Sequence, residues 1–464
     1  LASASAGSVT LASIDNGNTG SVGSALSVLA TGHDQTYADA EAGSGGIIAG
    51  AAAVASTRNL SNTQALLGGG TSTAALSTAT NGRMEVRADH IATFNSRVDS
   101  LSAGVVGASG AQARNDIDAR VVAGIKAGAN LRTWDLDVYA LNQTRKPWLS
   151  EFNVFAGAGG LAGGAAGSSE TTVDNITLVE VGDGARVRVL GDEDAPGRTN
   201  FNAVSDVMLR DRAKLEAGGA ISAADAEAKA WLNATPLTPS ADNIGRTEAR
   251  VGNNVVIDTV GNFNLAARDV ADVEVRANSK TWGLAAYADG YSLSDLRLRS
   301  RASVGSGSDI RADGFINIGA GRDANGARNT FSTVATADLY NNAAVPISSS
   351  DWGADALLNQ DNQITIAGTL RSVKDVNLSA DKGFGHRVDG QGVARDLYSQ
   401  AASAIASGVS NLFGGGDVSI EQNSGRSIEQ SRAGVSVSGL VDAGIQNQQL
   451  MTINESGSGA PTLT

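Results

Sequence analysis

The chain has 464 residues, a formal net charge of −13, 57 glycines and no cysteine. The acidic balance argues against a nucleic-acid partner, because phosphates select clusters of Lys and Arg. The lack of cysteine excludes disulfides and thiolate metal sites, and no apolar run reaches the roughly 18 residues that would cross a bilayer as a helix. Since only 4% of the residues are aromatic, a chain of this length favours an elongated, repeating body over one wide globular core.

A short repeat recurs along the chain, beginning within the first residues. The chain starts inside this pattern and not in a signal peptide, so we expect an internal fragment of a longer protein. In each copy two apolar residues flank a polar one, and Ala or Ser follows. The copies are Val9–Ser13, Met84–Ala88, Leu136–Ala140, Phe263–Ala267, Ile316–Ala320 and Val376–Ala380, with less complete ones at Ile221–Asp225 and Val418–Gln422.

The spacing and alternation of the copies predict stacked strands. The interval from Ile316 to Val376 is longer than the one from Phe263 to Ile316, so loops absorb insertions between copies while the strand motif keeps its register. Alternation with period two directs the apolar residues inward and the central polar residue outward. We expect Phe263, Leu265, Ile316, Ile318, Val376 and Leu378 to be buried, and Asn264, Asn317 and Asn377 to point outward.

Segments rich in Gly and Ala separate the alternating strands. Ile, Val and Leu interleave with their glycines, which favours close contact between sheets over flexible linkers. The segments are Gly43–Ala53, Ala103–Gly110, Ala156–Gly167 and Trp282–Gly290.

Three stretches depart from the strand pattern. Residues 191–202 and 235–243 hold much of the proline and are interpreted as loop insertions. Residues 396–413 carry apolar positions at helical spacing before a run of glycines, which predicts a short helix. We therefore divide the chain into a continuous repeat region, 1–425, and a further repeat or fragment end, 426–464.

The cycle of elements resembles the β-strand-repeat exoproteins called leukotoxin-type filamentous adhesins, which are similar to filamentous haemagglutinin and are exported by two-partner secretion. An alternating Ala strand (Ala38–Ala42), a Gly/Ala segment (Gly43–Ala53), an Ala-x-Val-Gly corner (Ala249–Gly252) and a Gly-led alternating strand (Gly261–Ala267) carry the resemblance. It covers the chain from Leu1 to about Gly425. Membership implies a right-handed β-helix, export through an outer-membrane transporter, and attachment or biofilm formation at the cell surface of a Gram-negative bacterium.

Candidate chemistry is sparse. Asp192, Glu193 and Asp194 cluster three carboxylates in one loop; they are candidate calcium ligands, a glycosidase acid/base pair, or a solvated acidic loop. His33, His90 and His386 lack metal-ligand spacing, and we expect exposed, unrelated positions. Gly157–Ala162, with Glu180 about 20 residues on, fits a loose dinucleotide-loop pattern, but no helical periodicity follows. The tryptophans are scattered, and Trp134 and Trp282 near repeat corners are expected to pack or cap.

These patterns predict an all-β protein, a parallel, right-handed β-helix with coils of about 20 residues and a rod about 100 Å long. We expect a structural and adhesive segment, not an enzyme, that needs no cofactor and binds surface polysaccharide or neighbouring cell-surface molecules, with self-association. A carbohydrate-active β-helix enzyme and a self-assembling extracellular filament subunit are the alternatives.

Overall fold

The computed structural model describes residues 1–148, 152–191, 196–234, 245–347, 352–398, 418–444 and 452–456. Over these ranges the protein is all-β, as predicted, with 26 strands and no helix. The strands are β1 (Ala2–Ala6), β2 (Val9–Ile14), β3 (Gly20–Val22), β4 (Ala25–Leu67), β5 (Leu76–Thr78), β6 (Arg83–Ile125), β7 (Asn130–Thr133), β8 (Asp135–Lys146), β9 (Val154–Gly159), β10 (Ala162–Val181), β11 (Arg186–Val189), β12 (Thr199–Leu232), β13 (Arg246–Val251), β14 (Val256–Thr259), β15 (Phe263–Val304), β16 (Asp309–Ala312), β17 (Ile316–Ala320), β18 (Thr330–Ile347), β19 (Gly353–Ile366), β20 (Thr369–Ser372), β21 (Val376–Asp381), β22 (Arg387–Tyr398), β23 (Val418–Ser424), β24 (Arg426–Val437), β25 (Leu440–Ala443) and β26 (Thr452–Ser456).

The strands form two sheets, of 18 and eight strands. The smaller sheet contains β3, β5, β7, β11, β14, β16, β20 and β25 in their order along the chain, each parallel to the next. In the larger sheet β22 and β23 are antiparallel, whereas the other registered strand pairs of the described ranges are parallel. We call the stretch of chain from one repeat copy to the next a pass. Consecutive passes therefore lie side by side and run in the same direction.

Each pass lies directly on the previous one, in register. Met84 pairs with Leu136, the equivalent position of the next repeat copy, and Thr199 pairs with Phe263. One pass therefore spans the whole interval between two copies. It is two to three times longer than the short coil that we expected, so that expectation was wrong. Eight layers, from Leu26 to Ile453, at a spacing of about 4.8 Å make a stack about 35 Å high and not a rod of about 100 Å.

The stack includes copies of the repeat that the sequence did not reveal. Leu26–Ala30 pairs with Met84–Ala88, and Thr199–Ala203 lies between Leu136–Ala140 and Phe263–Ala267. Three segments assigned to the repeat belong elsewhere: Val9–Ser13 pairs with Asn62–Leu66, Ile221–Asp225 with Ala162–Ala166, and Val418–Gln422 runs antiparallel to β22.

The core of the described residues has two large apolar clusters and a small third one formed by Ala335, Ala337, Ala354 and Ala356, because each pass runs outward, bends and returns. Near the repeat strands, three segments of each pass contribute side chains to one apolar cluster. In one pass these side chains are Met84, Val121 and Leu131. Farther out, the outgoing and returning arms face each other across a thinner cluster that includes Phe94 and Ala113. The six apolar residues predicted to face inward are all buried, a confirmed prediction: Phe263, Leu265, Ile316, Ile318, Val376 and Leu378.

Glycines form a column where successive passes bend. A Cβ atom on Gly160 would lie 1.8 Å from the carbonyl oxygen of Gly104, and one on Gly283 would lie 2.0 Å from that of Gly219. Gly160 also has a φ of 153°, which disfavours other residues. The Gly/Ala segments are therefore sites of close backbone contact and not linkers, as predicted, but the contact is between successive layers of one sheet and not between sheets.

The stretches that broke the strand pattern lie largely outside the described residues. Residues 192–195 of the first loop are among these, whereas Thr199–Asn202 open strand β12. The 235–243 loop is not described at all. Of the expected helix at 396–413, the first three residues end strand β22, and 399–413 lie outside the described ranges.

Candidate functional site

The outer face of the repeat strands carries a ladder of side-chain amides. Asn264 Nδ2 donates to Asn200 Oδ1 at 2.7 Å, Asn317 Nδ2 to Asn264 Oδ1 at 2.8 Å, and Asn377 Nδ2 to Asn317 Oδ1 at 2.9 Å. At one end, Asn200 Nδ2 donates to Asp137 Oδ1 at 2.8 Å. We call these five residues the amide ladder.

Parallel register creates the ladder, because the polar residue at the centre of each repeat copy stacks on its equivalent. Each interior amide uses one N–H group and one lone pair within the ladder. A side-chain amide has two donors and two acceptor sites, so each rung keeps a second donor and a second acceptor for a ligand. The ladder is half-buried, with its side chains on the outer side of the strands.

A cleft adjoins the ladder one step earlier along the strands. It has a volume of about 360 Å³ and is lined by Trp134, Asp135, Pro196, Arg198 and Asn262. The backbone N–H of Arg198 donates to Asp135 Oδ1 at 2.8 Å, which fixes the carboxylate at the base of the cleft. An aromatic ring, a cation and a carboxylate therefore lie together beside a row of amides.

A loop covers the other side of the ladder. Residues 321–328 fold over it and leave a cavity of about 80 Å³ above Asn264, Asn317 and Asn377. Arg268, which directly follows the repeat copy Phe263–Ala267, forms an ion pair with Asp323 of this loop, with Nη1 and Oδ2 3.2 Å apart. Tyr139 lies on the same face with the Arg87 guanidinium 5.0 Å from its ring centre, and burial raises the pKa of its phenol. We call the cleft, the amide ladder and Tyr139 the polar face.

The acidic loop that the sequence singled out, Asp192, Glu193 and Asp194, lies outside the described residues. Pro196, the first described residue after this loop, lines the cleft. Over the described ranges, no group of three His, Asp or Glu side chains is arranged to hold a metal ion.

The expectation of exposed histidines is wrong for His90. Its ring is fully buried, with Nδ1 3.2 Å from Thr63 Oγ1 and Nε2 3.6 Å from Asp34 Oδ2. Burial lowers the pKa of His90, and the nearby Asp34 carboxylate acts in the opposite direction. The His386 side chain is only 10% exposed and contacts Glu429 at 2.8 Å, so the expectation is wrong for His386 as well, while His33 is exposed. His33 lies near enough to His90 for its charge to contribute to the lowered pKa of His90, so these two rings are neighbours in adjacent layers.

The loose dinucleotide pattern at Gly157–Ala162 falls on the glycine bend. Gly157 and Gly159 end β9, and Ala162 begins β10, which runs to Val181 as a strand. A phosphate loop needs a helix N-terminus after its glycines. The local structure thus differs from a nucleotide site.

A second cavity, of about 340 Å³, lies on the outer face of the returning arms. Its two carboxylates each have a guanidinium partner: Arg297 lies 3.1 Å from Asp295, and Arg301 lies 3.8 Å from Asp361. Leu357 and Ile428 line the same cavity. Both carboxylates of this cavity are engaged with arginines, whereas the polar face combines aromatic rings with a row of side-chain amides, so we favour the polar face as the functional site.

Three carboxylates stack close together on the returning arms of the second and third layers. Burial raises the pKa of Asp174 to about 6, and the charges of Asp118 and Asp116 add to the effect. The folded state therefore holds this proton more tightly than the unfolded chain. Stability from the protonated group is present in acid and is lost as pH rises through about 6.

We expect Asp174→Asn to raise the free energy of unfolding at neutral pH by about 1 kcal/mol, since the group is half-buried and screened. The gain should disappear below the ordinary carboxyl pKa of 3.8. Urea denaturation between roughly pH 3 and pH 7.5 measures both. Asp39→Asn, at a carboxyl whose side chain is 58% exposed, is the control and should have little effect; equal gains for both variants would contradict the assignment.

No family model matches this chain, and neither a curated protein nor a solved structure is significantly similar to it. Within the described ranges, the chain offers no helix with the length and apolar character needed to span a bilayer.

Sequence reasoning placed Asn264, Asn317 and Asn377 on the outside but did not recognise the ladder. The signal was present, since Asn occupies the centre of these copies. Asn200 was not recognised as a member of this row. Thr199 replaces the first apolar residue of the copy Thr199–Ala203, so that copy did not match the repeat pattern.

Proposed function

We propose that the chain is a right-handed parallel β-helix that forms a structural and adhesive segment of a secreted bacterial surface protein, of the leukotoxin-type filamentous adhesin class. The observation that carries the proposal is the parallel pairing of each pass with the next, which repeats one outer face through successive layers. Such stacking gives extended binding surfaces whose weak contacts add up.

We propose surface polysaccharide as the ligand of the polar face. Rows of amide donors and acceptors match the hydroxyl pairs of a sugar chain, and the rings of Trp134 and Tyr139 offer apolar faces for sugar rings. The net charge of −13 disfavours nucleic acid. In this proposal the protein acts at the cell surface after export through an outer-membrane transporter, without a cofactor.

We expect Trp134→Ala to weaken binding of the immobilised chain to bacterial surface polysaccharide at least tenfold, because it removes the aromatic wall of the cleft. The measurement is surface plasmon resonance against purified capsular or exopolysaccharide. Trp148→Ala is a matched control, since Trp148 is 37% exposed and contacts Arg276 instead of the cleft. Equal binding by parent and Trp134→Ala, or no binding by the parent, would reject the proposed site.

The same preparations separate adhesion from catalysis. Asp192→Asn, Glu193→Gln and Asp194→Asn are combined in one variant, and release of reducing sugar is measured beside binding. We expect no turnover in either protein and unchanged binding. Turnover by the parent that is lost in the triple variant would establish a polysaccharide-cleaving enzyme instead, since removing an acid or base costs about 10² to 10⁴ in rate.

A further inference from the structure

An exposed apolar ridge runs along the glycine bends. At five successive bends, a glycine is followed by two residues of which at least one is a large aliphatic side chain. Backbone hydrogen bonds join the bends, from the N–H of Leu161 to Val105 O at 2.8 Å and from the N–H of Ile221 to Leu161 O at 3.0 Å. The ridge comprises Ile47, Ile48, Val105, Val106, Leu161, Ile221 and Leu284.

The glycine column is what brings these side chains to the outermost point. Carbonyl oxygens of one layer approach the glycines of the next too closely for any Cβ atom, so the chain turns sharply and the following residues project into solvent. Ile48 is 82% exposed and Leu284 is 67% exposed. Ala, Ser or Thr at these positions would make the same bend, so the bend itself does not require large apolar residues.

The exposure of the ridge is typical of an interaction surface. Its seven residues are 46% to 82% exposed and lie in one row across successive layers, and contiguous exposed apolar surface of this kind marks a site of protein–protein or membrane contact.

We propose that the ridge is an interface with a second copy of this chain, packed ridge to ridge about a two-fold axis. The rungs of any two copies share the same layer spacing of about 4.8 Å, so the side chains of one ridge fit between the rungs of the other. An antiparallel arrangement is isologous and closes as a dimer. With five bends, the axis passes through the third, where Leu161 faces its counterpart.

A lipid surface is the other apolar partner, and the charge disfavours it. Interfacial binding to anionic bilayers depends on Lys and Arg around the apolar residues, whereas this chain has a net charge of −13. The dimer goes beyond the proposed adhesion, and the two can fail separately, because the ridge and the polar face share no residue.

The cysteine-free sequence permits a direct test. Under mild oxidation, we expect Leu161→Cys to form a disulfide-linked dimer at twice the chain mass of 46.8 kDa, and Leu29→Cys, an exposed leucine off the ridge, to remain monomeric. A parallel pair would cross-link through both Leu161→Cys and Ile48→Cys and would overturn the antiparallel arrangement. No cross-link from either ridge cysteine, or equal cross-linking from Leu29→Cys, would overturn the proposal.

Sedimentation velocity provides a second test of the dimer. We expect the purified chain to dimerise at micromolar concentration, and replacement of all seven ridge residues by Thr, which retains strand propensity, to weaken dimerisation at least tenfold. The proposed dimer would be rejected if the parent is monomeric at about 100 µM or if the Thr variant dimerises as strongly as the parent. It would also be rejected if the parent, but not the Thr variant, cosediments with phosphatidylcholine vesicles. Leu29→Cys shows in parallel that loss of one exposed leucine leaves the fold intact.

Discussion

Replacing Ile318 by Asp is expected to lower the free energy of unfolding by at least about 4 kcal/mol, because it removes apolar bulk and buries a charge without a partner. Ile318 is 1% exposed and lies between Leu265 of the preceding layer and Leu378 of the following one. The substitution therefore disrupts the packing of this position against both neighbouring layers. Urea denaturation followed by circular dichroism measures it.

The adjacent residue supplies the control. Asn317→Asp places the same carboxylate one position away on the outer side, where it still accepts the hydrogen bond from Asn377 Nδ2. We expect a loss of about 1 kcal/mol or less. If Ile318→Asp and Asn317→Asp unfold at the same urea concentration as the parent, the inward and outward assignment is wrong.

The period-two pattern was sufficient to predict the strands and their buried sides. Residues such as Phe263 and Leu265 could be assigned because alternation at a strand is a local property, fixed by the backbone of the strand itself. Close backbone contact at the Gly/Ala segments was also predictable, since clustered glycines with interleaved aliphatic residues are typical of close backbone approach.

The length of one pass could not be read from the same pattern. Alternation breaks only at the Gly/Ala segment in the middle of a 43-residue strand such as β4 or β6. That segment was recognised as a site of close contact but not as the point where one pass turns back, so its two arms were not joined into one pass. The interval between successive repeat copies was interpreted as several coils, whereas it is a single pass. A longer pass means fewer layers, and for this reason the stack is shorter than expected.

Buried polar residues were the other failure. Alternation places His90 on the inner side of its strand, but its partner Asp34 comes from the preceding pass and its other partner, Thr63, from the returning arm of that pass. Contacts between residues so distant in sequence depend on the register of the stack. The same holds for the ionic pair in the third and fourth layers.

Lys146 and Asp211 form that pair, and both side chains are completely buried. Lys146 Nζ donates to Asp211 and, at 2.8 Å, to Thr171 Oγ1, and Ser169 Oγ also donates to Asp211. Burial lowers the pKa of Lys146, and the Asp211 carboxylate opposes this effect. A lysine in this position depends on its one ionic partner, because water does not reach it.

Asp211→Ala should lower the free energy of unfolding by about 3–5 kcal/mol, the range for breaking a buried ion pair. The double variant Lys146→Met/Asp211→Leu should come within about 1 kcal/mol of the parent or exceed it, since it removes both charges together. Asp309→Ala breaks the more exposed pairs with Arg311 and Arg371 and should cost about 1 kcal/mol or less. The measurement is the urea midpoint of all four proteins. A double variant as unstable as Asp211→Ala would show that the pair contributes net stability through its hydrogen bonds to Ser169 and Thr171, and that this part of the interior requires a polar network.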